Sequence, residues 1–276
     1  MSVSAPRRQH LISKVLLRQF TSSTFGNQLR SFDLVYGSSR LRHPAGVGWR
    51  ANFILHEPQA AEDKWAATES GLYAALRTAA VDPSRLTSLE QQTLRHTIAL
   101  HYLRRAATSD AFARSLEKVA PIRSDSPPIP IMSSLARREV RRRADELFAS
   151  DILDLYERMR SYADTASLEV FRSRVVPLLI GDAAVRSFTQ TGGTGAIPFA
   201  EAATHVLPIG PHTLVGLGPT MIYEDLSDDA ATQLNLQQIL QAKRHVFYSP
   251  DSDLEGLIRM VRDQGNASSS DAERQT

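Results

Sequence analysis

The chain has 276 residues, of which 42% are hydrophobic and 22% charged, with a formal net charge of +2 at pH 7. This is the composition of a folded globular protein rather than a disordered chain, and the absence of cysteine excludes disulfides, thiolate zinc sites, iron–sulfur clusters and cysteine nucleophiles. Only four of the 32 basic residues are lysines, so the positive charge is nearly all guanidinium, a group suited to two-pronged contacts with carboxylate and phosphate.

From Gln9 to Phe20, Leu11, Ile12, Val15, Leu16 and Phe20 recur at helical spacing and predict a short amphipathic helix. Gln28 to Tyr36 alternates, and Gly37-Ser38-Ser39 supplies the turn into Arg40 to His43, a β-hairpin. Helices are expected over Ala61–Ala80, Ser88–Ala107 with Thr87 or Ser88 as N-cap, Ser109–Val119 and Ser134–Tyr162. Pro121 to Pro130, with four prolines, reads as an extended linker. After Thr165, the stretches Leu168–Ile180, Thr204–Ile209 and Thr213–Leu217 read as strands, being apolar or alternating and rich in β-branched residues. A helix over Asp228–Lys243, a short strand over His245–Tyr248 and a helix over Asp251–Arg262 close the pattern. Strands at both ends of a helical middle make this an α+β fold, its mixed or antiparallel sheet formed by the N-terminal hairpin and the C-terminal strands. The expected organisation is a single α+β domain over residues 1–265 with a disordered tail over 266–276.

No apolar run approaches the roughly 18 residues needed to span a bilayer. The residues after His10 are interrupted by Ser13, Lys14, Arg18 and Gln19, unlike a secretory signal. A cytoplasmic protein without a membrane partner is therefore expected.

Four features bear on chemistry. The run Thr191-Gly192-Gly193-Thr194-Gly195 has no following lysine and is followed by Ile197-Pro198 rather than a helix, so it reads as a loop and not a phosphate cradle. His96 and His101 stand five residues apart, about 140° around a helix, which does not suit a shared metal, and no metal or cofactor is expected. The run Arg137 to Arg143 is the densest basic patch, with Arg138 and Arg142 as candidate phosphate contacts, although i,i+4 pairs such as Arg142 with Glu146 neutralise part of it. Asp182 follows an apolar strand and Gly181, a place for a catalytic carboxylate and equally for a turn-forming one.

Several segments together resemble the family called domain of unknown function 4238. Its opening pattern, a histidine, a proline three residues later, a tyrosine-leucine pair and a phenylalanine, is met here by His10, Ser13, Leu16, Leu17 and Phe20, with Ser13 and Leu16 departing from it. The hairpin ending near Tyr36, Val47 to Phe53, the glutamate-bearing helix Glu62 to Glu69, and His101 to Arg105 follow in the family's order. In the second half, Ile180 to Val185 resembles its serine-aspartate-asparagine-proline strand end with only the aspartate kept. Leu207 to Pro211, Asn235 and Ala242 to Pro250 are similar to its closing segments. The resemblance, covering about Gln9 to Pro250, implies no reaction but singles out His10 and Asp182 as candidate catalytic residues, and Arg104 and Asn235 as candidate ligand or network residues.

The leading functional expectation is a nucleic-acid-associated protein, of a defence or toxin-effector type, whose arginines contact phosphates or another anionic ligand. The alternatives are a hydrolase-like enzyme with a cleft around Asp182, and a non-catalytic interaction module.

Overall fold

The computed structural model describes residues 8–51, 53, 58–105, 151–190, 192–193 and 197–273. The described chain is α+β, with three sheets and the helices packed against them. The expected helices over Ser109–Val119 and most of Ser134–Tyr162, the linker Pro121–Pro130, and Arg138 and Arg142 lie outside the described residues.

The N-terminal amphipathic stretch is only partly helical. Strand β1 (Arg8–His10) comes first, and Ser13, whose hydroxyl accepts the Val15 amide, caps a five-residue helix α1 (Lys14–Arg18) that buries Leu16 and Leu17. The hairpin is present as β2 (Leu29–Asp33) and β3 (Ser38–Arg42), and β4 (Trp49–Ala51) returns to pair with β1. The single helix expected over Ala61–Ala80 is two, α2 (Pro58–Ser70) and α3 (Leu72–Val81). They meet at Gly71, the weakest helix former in the stretch, where α4 comes so close that a Cβ would stand 3.4 Å from the Thr93 hydroxyl. Helix α4 (Ser88–Arg104) starts at a full capping box, Thr87 with Glu90. Residues 151–165 form a further helix, α5.

The apolar stretch Leu168–Ile180 is not one strand. It splits into β5 (Ser167–Ser173) and a two-residue β6 (Ile180–Gly181), because Pro177 cannot donate to a ladder and Val175 is turned out to solvent. Strands β7 (Arg186–Phe188) and β10 (Ile222–Leu226), too short or too polar to stand out in the pattern, join β8 (Thr204–Gly210) and β9 (Thr213–Gly218). The five-stranded sheet runs β10-β5-β9-β8-β7, parallel only between β10 and β5. Both of its faces are covered. Leu168, Val170, Leu207, Val215 and Leu217 pack into the core with α4, and Val206 and Leu214 pack against Ala231 and Leu234 of α6 (Asp228–Gln241). Such double burial explains why these strands read as nearly continuous apolar runs.

The N-terminal hairpin and the chain's last strand, β11 (His245–Tyr248), build the other large sheet, ordered β3-β2-β11-β6 and antiparallel throughout. One face, carrying Phe32, Val246 and Tyr248, packs on Leu254, Ile258 and Val261, residues at and just before the last helix, α7 (Glu255–Glu273). That helix runs through most of 266–276, where a disordered tail was expected. The segment has neither glycine nor proline after Gly265, so nothing in it interrupts a helix already anchored by its apolar first turns.

Candidate functional site

The register of the four-stranded sheet fixes what its second face presents. Ser38 pairs with Asp33 and Asp33 with His245; Arg40 pairs with Ser31 and Ser31 with Phe247; Arg42 pairs with Leu29. Paired residues share a face, so this face grades from apolar at Leu29, Phe247 and Ile180 to polar and cationic toward the β3 edge. In front of it lies a cleft of about 910 Å³ whose far wall is the turn and strand from Gly46 to Ala51. Gly48 holds that wall, with φ at +68° and a carbonyl that accepts the amides of Leu11 and Ile12.

The cleft is strongly basic. Arg40, Arg42, Arg50, Lys243 and Arg244 line it with His245, and Tyr36 and Trp49 add aromatic surface. The two carboxylates that line it among the described residues are committed within the fold. Asp33 accepts the Val35 and Tyr36 amides at 3.0 and 3.2 Å and the Arg244 guanidinium at 3.0 Å. Burial alone would raise the Asp33 carboxyl, but the Tyr36 amide and Arg244 hold it below the ordinary range. Asp182 accepts the amides of Lys243, Arg244 and His245 at 2.8, 2.9 and 3.0 Å. Arg40, Arg42 and Arg50, by contrast, have no side-chain hydrogen bond or ion pair with any described residue. Burial and the neighbouring charge of Arg50 lower the pKa of Lys243, the mark of a site crowded with like charge. Tyr36 is 73% exposed with Arg244 over its ring at 5.4 Å, and Arg8 covers Trp49 at 4.4 Å.

The four positions implied by resemblance do not converge. His10 and Arg104 belong to one polar cluster on α1, α2, α4 and β1. Glu62, Trp65 and Glu69, at spacings of three and four, share a face of α2. Arg104, 2% exposed, stacks on Trp65 at 4.4 Å and pairs with Glu69 at 2.5 Å. Burial would raise both glutamates, and does raise Glu62, whereas the Arg104 charge outweighs it at Glu69 and lowers that group. Burial, followed by the charges of Lys14 and Arg104, lowers His10 to about 4, so its imidazole is neutral at pH 7. His101 is neutral for a similar reason, burial first and Arg104 second, with its pKa also lowered to about 4. Its Nδ1–H donates to the Thr97 carbonyl at 2.9 Å while Nε2 accepts the Ser13 amide at 3.0 Å, so both ring nitrogens are used to dock α1 on α4.

Asp182 lines the cleft instead, and Asn235 lies apart from both places. Fully buried on α6, Asn235 accepts the Leu179 amide at 3.0 Å and donates to the Pro177 carbonyl at 2.8 Å. Gln238, one turn on, does the same for Gly181 and Ala184, so two amide side chains pin the irregular segment that leads into and out of β6. His96 meets Asp164 at 2.9 Å, and among the described residues no group of three or more histidine, aspartate or glutamate side chains is arranged to hold a metal. In the glycine-rich loop, the amides of Gly192 and Gly193 bond back to Thr189 and so are not offered to a phosphate. No helix among the described residues is long and apolar enough to cross a membrane.

The cleft arginines were missed in the sequence, yet Arg40 and Arg42, two apart on a strand that follows a hairpin turn, carried the signal of a shared face. A family model described as "Protein of unknown function (DUF4238)" matches residues 8–252. No curated protein and no solved structure matches the chain.

Proposed function

The chain belongs to this DUF4238 family, and from its own geometry we propose that it binds the phosphodiester backbone of single-stranded nucleic acid in the cleft between the β3-β2-β11-β6 sheet and the 46–51 wall. The observation that carries the reading is the imbalance of partners: three guanidiniums face the cleft without a bond to any described residue, while Asp33 and Asp182, the carboxylates that line it among the described residues, are occupied. Arginines on one strand track a phosphate backbone, and Tyr36 and Trp49 supply faces on which bases stack regardless of sequence. At about 910 Å³ the cleft is the size of a pocket for a few linked groups. It therefore takes a short stretch of one strand rather than a duplex.

Fluorescence anisotropy with labelled single-stranded and duplex oligonucleotides, at low and then rising salt, tests this. Single strands are expected to bind more tightly than duplex, with affinity falling as salt rises. Absence of single-strand binding at low salt overturns the proposal.

A further inference from the structure

The floor of the cleft is ordered across its strands as well as along them. Its middle row runs from Arg40 on β3 through Ser31 on β2 to Phe247 on β11, each the register partner of the next and all three lining the cleft. Neighbouring strands lie about 4.8 Å apart, so within about 10 Å the row passes from a cation through a hydroxyl to an apolar surface. Arg42 repeats the cation two residues further along β3, about 7 Å away.

The hydroxyl in the middle of this row is unused by the fold. Ser31 is 8% exposed, and its side chain has no hydrogen bond with any described residue. Its neighbours on the same face of β2 are settled, Asp33 by the Val35 and Tyr36 amides and Arg244, Leu29 by burial in the core. Ser39, on the opposite face of the sheet, shows the contrast, since its hydroxyl meets Tyr248 at 3.1 Å and Arg30 at 3.3 Å. A hydroxyl largely withdrawn from water without a partner is unfavourable, and a ligand hydroxyl within hydrogen-bond reach relieves it.

In a nucleotide the ribose stands between the phosphate and the base, and the row presents its groups in that order. Resting on single-strand binding in the cleft, we propose that the strand bound there is RNA rather than DNA, with Ser31 as the residue that sets the choice. Phosphates lie on Arg40 and Arg42, the base points to the apolar end at Phe247, Leu11 and Val47, and the ribose 2′-hydroxyl meets the Ser31 hydroxyl. The 2′-hydroxyl both donates and accepts, and it is the group by which a protein tells RNA from DNA at a given nucleotide. Ser31 offers both roles in return. The apolar end has no group that reads a base edge, so the preference is for the sugar and not for a sequence.

The test titrates the full chain against labelled oligouridine, oligodeoxyuridine and 2′-fluoro-oligouridine of one length, at one low salt concentration, by fluorescence anisotropy. The deoxy strand has the same bases and charge but lacks the 2′-hydroxyl, and the 2′-fluoro strand keeps the ribonucleotide's sugar shape without the O–H. Oligouridine is expected to bind about five- to tenfold more tightly than either, the scale of one hydrogen bond. Ser31→Ala should bring that ratio close to one. If Ser31→Ala does not fold, the near-isosteric Ser31→Cys, whose thiol bonds only weakly, must reduce the ratio likewise. Equal binding of the ribo and deoxy strands, a 2′-fluoro strand that binds as tightly as oligouridine, or an undiminished ratio in the Ser31 variants overturns the choice of RNA and leaves single-strand binding standing. Failure of all three strands to bind overturns single-strand binding in the cleft, and the choice of RNA with it.

Discussion

Asp182 accepts the backbone amide of Arg244 at 2.9 Å, and with the same carboxylate it takes those of Lys243 and His245. One side chain thereby fixes the turn that delivers two of the cleft's cations and starts β11. Asp182→Asn replaces an acceptor oxygen with a donor that faces amide donors. The expected loss is about 1.5–3 kcal/mol of folding stability, the value of a hydrogen bond to a charged group, with weaker anion binding as the turn loosens. Urea denaturation of the variant measures it; unchanged stability would show that the three bonds do not hold the turn.

Asn235 bears on β6 in a similar way. Asn235→Ala strands the Leu179 amide and the Pro177 carbonyl, both held by this side chain in the native fold. A loss of about 2–5 kcal/mol is expected from two stranded backbone groups. Asn235→Asp should also destabilise, because it keeps the acceptor but sets a carboxylate against the Pro177 carbonyl. Thermal melts that leave both variants at the parent's temperature would contradict this account.

Stability should fall as pH drops from about 6.5 toward 4. His101 and His205, each 1% exposed, have folded pKa values lowered to about 4, while in the unfolded chain a histidine titrates near 6.5. Between those values the unfolded state binds more protons, so stability rises with pH and each group's contribution is complete above 6.5. For each histidine the shift corresponds to about 3 kcal/mol. The loss should begin well above pH 4.3, before the lowered carboxyls of Glu69 and Asp33 contribute. Urea denaturation at pH 7.5, 6, 5 and 4.5 checks the sign, and a flat profile down to pH 5 would contradict it.

Much of the architecture was legible because burial pattern and period agree. His245–Tyr248 reads as a strand and is one, and Thr87, one of the two N-cap candidates in the sequence, caps α4. The failures are where tertiary contact overrode local pattern. Ile12 and Leu16 keep helical spacing, yet β1 pairs with β4 and Ser13 starts the helix late, because the Ser13 amide is held by His101, 88 residues away. Asp182 and Asn235 could be singled out in the sequence, but their partners are backbone amides and carbonyls, which are anonymous there. Ser31 was equally hidden, since it differs from a surface serine only by what surrounds it.

The salt dependence of single-strand binding, compared between the parent and Arg40→Ala with Arg42→Ala, tests the cleft most directly. Each phosphate contact on a single strand contributes about 0.7 to the slope of log affinity against log salt, so losing two should flatten the slope by about 1.4 and weaken binding at low salt. Arg85→Ala, at an exposed arginine away from the cleft, should change neither. A slope and affinity in the double variant equal to those of the parent would contradict the account.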